Sequence, residues 1–184
     1  GELLKNVQQH SRGTGYVMAQ YYETGLFQIG IADNGIGIKE SYITSLSPKV
    51  KGRETWNDAQ WVEEAIRCQS SSKVHLSSSQ GEGPVNRGIG LTMCRLFAKE
   101  CLGHFELTSH AGRLAHEFKF MDKPIEPAAI EIRPPYHGVL CSIAFNPSAM
   151  GQISFMDLRR QALTDLGMLG KGPPLTGSDT MFSS

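Results

Sequence analysis

Two short glycine motifs, separated by a polar segment, limit the folds open to this chain more than any other feature. The first motif, at 33–38 (DNGIGI), follows a strand-like stretch, and the second, at 86–91 (NRGIGL), opens a helix-like pattern. Between them, residues 69–84 contain six serines, two glycines and a proline, a composition that cannot bury enough apolar surface to form core. Loops of this length inside a domain are usually lids or binding loops. We therefore expect one domain in which this loop covers a ligand site.

Composition excludes several classes of protein. The chain has 184 residues with 40% apolar and 20% charged residues, which is typical of one globular domain rather than of a disordered chain. Eighteen basic residues balance eighteen acidic ones, so no overall field favours nucleic acid or an anionic membrane. No apolar run approaches the roughly 18 to 20 residues that a membrane-spanning helix needs. The four cysteines lack CxxC spacing. We expect a soluble, cytoplasmic protein with reduced thiols and no nucleic-acid partner.

Hydrophobic patterning predicts both strands and helices. Residues 15–22 and 26–32 are rich in β-formers around a tight turn, which predicts a β-hairpin whose second strand ends in 33–38. The other predicted elements are a helix over 56–67, a helix from 86 to about 102, strands at 104–108 and 114–120, a proline-rich link over 122–137, a strand over 139–145 and a helix over 154–166. We expect one domain over 1–150, followed over 151–184 by a C-terminal helix, packed on the sheet, and a loose tail.

The N-terminal residues also follow a helical pattern, with apolar side chains at positions 3, 4 and 7. A helix that begins at Gly1 would have no capping residue, which leads us to expect missing residues upstream. Glu2 and Asn6 are four residues apart and would therefore lie on one face of this helix.

The glycine motifs suggest phosphate chemistry. Glycines beside a helix N-terminus let the backbone approach an anion and present N–H groups to it, so a polyphosphate between the two motifs is the natural inference. Neither motif is a Walker A sequence, and neither is a full GxGxxG motif, because Glu40 and Met93 stand where the last glycine would be. Taken singly, the first motif also fits a hairpin turn and the second fits close helix packing.

The order of these features resembles the GHKL ATPase superfamily, which includes gyrase, heat-shock chaperones, histidine kinases and MutL. A helix carrying Glu2 and Asn6 precedes the first glycine motif, and a serine-rich loop leads into the second. The resemblance covers residues 2 to about 120 and extends toward 145. It implies an α+β fold, namely a two-layer α/β sandwich whose mixed, mostly antiparallel sheet has helices on one face and an ATP lid. It also implies ATP and Mg²⁺ as ligands.

The resemblance implies roles for three residues on the N-terminal helix. Asn6 matches the asparagine that holds Mg²⁺, and its side-chain oxygen suits a hard ion. Glu2 matches the catalytic carboxylate that orients or deprotonates the attacking nucleophile. His10 matches a residue that contacts phosphate in some kinases. Gln9 departs from the lysine that many histidine kinases carry at this position. Without the glycine motifs, Glu2 and Asn6 would be ordinary surface residues.

The same resemblance implies the remaining nucleotide contacts. Asp33 matches the carboxylate that accepts the adenine amino group, although an Asp at a strand end often only bonds nearby backbone N–H groups. Residues 68–87 would form the lid over ATP. The other implied contacts are Gly35, Gly37 and Ile38 near adenine, Gly88, Ile89, Gly90 and Leu91 around the phosphates, and the lid cations Lys73 and Arg87. His137, Gly138 and Val139 fall where relatives often carry Gly-Thr, and valine lacks the hydroxyl.

These features predict an Mg-ATP-binding catalytic domain of a histidine kinase-like protein that transfers a phosphoryl group in signal transduction. The protein would be either part of a sensor histidine kinase or a relative of the serine-phosphorylating anti-sigma factors. Its partners would be ATP and a protein partner or phospho-acceptor protein, and a homodimer is compatible with this function. Two alternatives stay open. One is an ATP hydrolase whose lid drives a conformational change, and the other is a regulatory module that binds nucleotide without turnover.

Overall fold

Four strands form one antiparallel sheet, and helices pack against it. The computed structural model describes residue 4 and residues 7–67, 90–118 and 128–164. In chain order the strands and α-helices are β1 (Gly15–Tyr21), β2 (Phe27–Asp33), α1 (Gly37–Thr44), α2 (Asp58–Ala65), α3 (Gly90–Glu100), β3 (His104–Glu117), β4 (Ile130–Phe145) and α4 (Phe155–Thr164). Short helical turns lie at Val7–Ser11, Pro48–Val50 and Pro147–Gln152. No helix within the described ranges is long and apolar enough to cross a membrane.

The sheet has the strand order β1-β2-β4-β3. β1 and β2 pair from Gly15 opposite Asp33 to Tyr21 opposite Phe27, so the predicted hairpin is confirmed. β2 then pairs with the last part of β4, which places Asp33 opposite Val139. Every described pair is antiparallel, and the parallel pairing that a mixed sheet would contain does not occur among these four strands.

One face of the sheet supports the main hydrophobic core. Alternate residues of β3 and β4 point to this face, because successive side chains of a strand point to opposite sides. They are buried against α2, whose Trp61 and Val62 are almost completely inaccessible to solvent. The buried residues of these two strands include Phe105, Leu107, Cys141, Ile143 and Phe145. The chain is therefore an α+β protein with the layer arrangement expected of a two-layer α/β sandwich.

The last two residues of the first glycine motif begin a helix that the sequence did not predict. α1 begins at Gly37, where the hairpin strand was expected to end, and buries Ile38 and Tyr42. It is only eight residues long, and its weak apolar periodicity gives little sequence signal. The helix predicted over 56–67 is confirmed as α2, which begins after a capping box formed by Asn57 and Gln60.

The third and fourth strands are longer than predicted. β3 runs unbroken through 109–113, where the sequence predicted a gap between two strands, and the pairing register shifts there. β4 includes 130–137, which the sequence predicted to be a proline-rich link. The register passes from Tyr136 opposite His110 to Glu131 opposite Gly112, so the residues between them, including Pro134, are unpaired with β3. Proline lacks an N–H group and is tolerated at such an irregularity because no ladder hydrogen bond is lost.

The predicted C-terminal helix is confirmed as α4, but its packing differs from the expectation. Leu158 and Ala162 are buried against Met93 and Leu96 of α3 in a second small core, so α4 packs on a helix rather than on the sheet. The predicted loose tail, from 170 to the end, lies outside the described residues.

Candidate functional site

Asp33 is the last residue of β2, and its side chain is buried. Only 4% of the residue is exposed. The backbone N–H groups of Gly35 and Val139 both donate to Oδ1, at 2.9 and 3.3 Å. Among the described residues, no group donates a hydrogen bond to Oδ2, and no cationic side chain forms an ion pair with this carboxyl group. One carboxylate oxygen is therefore free to accept a hydrogen bond from a ligand.

The environment of Asp33 changes its acidity. Burial raises the pKa of the carboxyl group, and the hydrogen bonds from Gly35 and Val139 offset part of this rise. Buried carboxylates are rare unless they are paired with a cation or fully hydrogen-bonded. A donor that reached Oδ2 would stabilise the ionised form, so this group is suited to bind an N–H of a ligand.

The glycines after Asp33 allow a tight passage of the chain. A side chain at Gly35 would collide with the backbone carbonyl of Ser11, which accepts the N–H of Ile36 at 2.9 Å. Gly37 has a φ of +76°, and a side chain there would collide with the ring of His110. Both positions therefore require glycine for close approach or for a left-handed backbone. The first glycine motif is held against the Val7–Ser11 turn and β3.

The N-terminus of α1 is anchored by β3. Ser109 accepts the N–H of Ile38 at 2.9 Å through its Oγ, and Nε2 of His110 lies 3.0 Å from the carbonyl oxygen of Ile36. The side chain of Ile38 belongs to the hydrophobic core. The N–H of Ile38 is thus already used within the protein, and this residue serves the site by holding the loop in place.

Residues of β4 pack directly against Asp33. The hydroxyl group of Tyr136 donates to the backbone carbonyl of Asp33 at 3.1 Å. Gly138 has a φ of +108°, and a side chain there would collide with the same carbonyl oxygen. The His137, Gly138 and Val139 segment singled out in the sequence thus lies next to Asp33. Tyr136 was missed, because its position within a predicted proline-rich link carried no signal of a contact with β2.

The structure describes the remaining predicted site residues only in part. Gly90 begins α3 and Leu91 packs against the main core, while Thr92 donates through Oγ1 to the carbonyl of Ile66 at 2.8 Å, which ties α3 to the end of α2. His10 lies in the Val7–Ser11 turn, and only its backbone is described. The predicted residues that lie outside the described part of the chain are Glu2, Asn6, Lys73, Arg87, Gly88 and Ile89.

A second buried carboxylate contrasts with Asp33. Glu64 of α2 is 2% exposed, and Oε1 lies 2.8 Å from Nζ of Lys49 and 3.3 Å from Nη1 of Arg53. Its other oxygen lies 3.5 Å from Nη1 of Arg67. The guanidinium of Arg53 also stacks over the ring of Trp56 at 4.4 Å. Glu64 is therefore neutralised within the protein and carries no open position for a ligand.

Comparison with known proteins adds no family assignment. No protein-family model matches the chain, and no curated protein matches it. Within the described ranges, no group of three or more His, Cys, Asp or Glu residues could hold a metal ion.

Proposed function

We propose that this chain is an ATP-binding domain of the GHKL type, and that it acts with Mg²⁺ as the catalytic domain of a histidine kinase-like protein. The observation that carries the proposal is Asp33, a buried carboxylate at a strand end that lacks a cation and has one oxygen unused by the described residues. This is the position at which the superfamily resemblance expects the residue that binds adenine.

The geometry around Asp33 suits a purine amino group. The exocyclic N–H of adenine would donate to Oδ2, while Gly35 and Val139 fix the carboxylate through Oδ1. Guanine carries a carbonyl oxygen at the corresponding position and would meet the carboxylate with an acceptor. A site built to pair with a substrate N–H discriminates strongly against an analogue that lacks it, because its own buried polar group is then left unpaired.

The phosphate side of the proposal rests on sequence. Asn6 would hold Mg²⁺, which neutralises phosphate charge, and Glu2 would direct the acceptor group. Gly90 and Leu91 at the start of α3, with Gly88 before them, would present backbone N–H groups to the phosphates. Phosphoryl transfer depends mainly on such positioning and charge neutralisation.

A module that binds nucleotide without turnover is the second proposal. Val139 donates its N–H to Asp33 and has no hydroxyl group for the auxiliary adenine contact of relatives. Gln9 also replaces a lysine common in histidine kinases. Phosphate release from ATP by the purified protein would support a hydrolase, and transfer of labelled phosphate to a protein would support a kinase. Binding with neither activity would support the regulatory module.

Calorimetric titration of ATP with and without Mg²⁺ tests the site directly. We expect Asp33→Asn to lower the affinity for ATP about 10- to 100-fold, as the loss of a hydrogen bond to a charged group requires. The control is Asp157→Asn, which removes an exposed carboxylate of α4 and should leave binding unchanged. Equal affinity of the parent protein and Asp33→Asn, or binding of GTP as tight as that of ATP, would contradict the proposal.

A further inference from the structure

β1 is an outer strand of the sheet, and among the described strands only β2 pairs with it. Every residue of Gly15–Tyr21 is exposed, including apolar side chains on both faces of the strand, such as Val17 (58%), Met18 (67%) and Tyr21 (65%). Proteins normally protect an edge strand with charged residues, proline or a bulge. The sequence GYVMAQY contains no charge and no proline, and its pairing with β2 is regular.

The hydrogen-bonding pattern defines which backbone groups face outward. Tyr22 donates its N–H to Leu26, and Thr14 accepts the N–H of Asn34, so the even-numbered residues direct their backbone groups toward β2. In an antiparallel pair these groups alternate along the strand. The N–H and C=O groups of the intervening residues therefore point away from the sheet, namely those of Gly15, Val17, Ala19 and Tyr21.

We propose that β1 pairs antiparallel with β1 of a second copy, about a two-fold axis at Met18, and so joins two sheets into one. An antiparallel strand pair is self-complementary and fits the isologous interface of a two-fold dimer. In this register Val17 lies opposite Ala19 of the second copy, and Gly15 lies opposite Tyr21. Each larger side chain thus meets a smaller one, and all outward-facing backbone groups find partners.

Charge favours this partner and this direction. Arg12 precedes the strand and Glu23 follows it, and both are exposed. Antiparallel pairing about Met18 brings Arg12 of each copy beside Glu23 of the other, whereas parallel pairing would align like charges. The chain has no net charge to oppose association of identical copies. Only two of the fourteen residues of the other outer strand, β3, are exposed, whereas every residue of β1 is exposed, so head-to-tail growth through β3 is disfavoured.

Sedimentation velocity over a concentration series tests this interface. We expect a reversible monomer–dimer equilibrium in the parent protein, with no larger species. Met18→Lys places two like charges at the axis and should raise the dimer dissociation constant at least about tenfold. Ala19→Pro removes an outward N–H without removing a β1–β2 hydrogen bond and should act similarly. The control is Leu46→Lys, at an 89% exposed apolar residue away from the strand, which should leave the equilibrium unchanged.

Charge reversal tests the register. Arg12→Glu and Glu23→Arg should each weaken the dimer about two- to fivefold, and the double variant should restore it, because exposed ion pairs contribute less than about 1 kcal/mol each. Circular dichroism of each variant checks that the monomer is folded. A parent protein that stays monomeric at all concentrations, or a dimer indifferent to Met18→Lys and Ala19→Pro, would overturn the proposal. The interface does not involve Asp33, so Asp33→Asn should dimerise like the parent.

Discussion

Asp33 and Glu64 are both buried carboxylates, yet the protein surrounds them differently. Glu64 is held by the cationic side chains of Lys49, Arg53 and Arg67 within 3.5 Å. Asp33 receives two backbone N–H groups on one oxygen and, within the described part of the chain, no cation. Around Glu64, the cationic side chains compensate for the free-energy cost of burying the negative charge. Around Asp33, the protein compensates for this cost only in part, and a hydrogen-bond donor on a ligand would supply the rest. We expect this difference between a structural carboxylate and a carboxylate that binds a ligand.

Removing the charge of Glu64 should have the largest effect on stability. Glu64→Gln would leave Lys49 and Arg53 without their counter-charge, and breaking a buried ion pair in this way is strongly destabilising. Because these cations are partly exposed, we expect a loss of about 2–3 kcal/mol in the free energy of unfolding, measured by urea denaturation. Glu100→Gln, at an exposed position of α3, is the control. A loss no larger than in this control would remove Glu64 from the comparison.

Gly138→Ala tests whether β4 must approach Asp33 as closely as it does. The new Cβ would collide with the backbone carbonyl of Asp33, and the φ of +108° is unfavourable for alanine. We expect a loss of about 2 kcal/mol in stability together with weaker ATP binding. The matched control is Gly151→Ala, because a Cβ at Gly151 meets no atom within 4 Å. Equal stability and equal ATP affinity in both variants would show that β4 can move away from Asp33 without loss of stability or binding.

Tyr136→Phe should produce a smaller and more selective change. The variant removes the hydroxyl group that donates to the carbonyl of Asp33, a hydrogen bond that contributes about 1 kcal/mol. We expect ATP affinity to fall about fivefold and the preference for ATP over ITP, which lacks the amino group, to decrease. Tyr21→Phe, at an exposed tyrosine of β1, is the control. An unchanged preference for ATP would mean that Tyr136 contributes only to stability.

The sequence predicts the local elements of this fold better than their extent. The β1–β2 hairpin and α2 have strong alternating or helical patterns, and both are confirmed. β3 and β4 were predicted too short, because the register shift at 109–112 and the prolines of β4 interrupt the pattern without ending the strands. Hydrophobic periodicity reports burial, and it cannot show that two strands continue past an irregular pairing.

In the candidate site too, the sequence predicts local features but not the contacts between distant residues. Asp33, Gly35 and Gly37 could be singled out because a glycine motif after a strand is visible in the sequence. Tyr136 could not, because its contact with Asp33 joins residues 103 positions apart and depends on the register of β2 with β4. The contacts of Lys49 and Arg53 with Glu64 could not be predicted for the same reason, since three-dimensional packing alone brings α2 together with the segment after α1.

The smallest predicted effect concerns the pH dependence of stability, and it separates Asp33 from Glu64 most sharply. Burial raises the pKa of Asp33 in the folded protein, so ionisation of this group costs the fold stability. That cost is absent below the ordinary pKa of 3.8 and develops as the pH rises through the raised value. Without nucleotide, Asp33→Asn should therefore become more stable relative to the parent as the pH rises, and the difference should level off once the pH exceeds the raised pKa.

Urea denaturation of Asp33→Asn and the parent protein, in parallel across pH 4 to 8, measures this difference. Asparagine keeps an oxygen that can accept the N–H groups of Gly35 and Val139, so the substitution chiefly removes the buried charge. The affinity of the parent protein for ATP should increase as the pH rises, because a protonated Asp33 has less capacity to accept a hydrogen bond from the adenine amino group. Destabilisation of the nucleotide-free fold by Asp33→Asn at neutral pH would place Asp33 with Glu64 as a structural carboxylate.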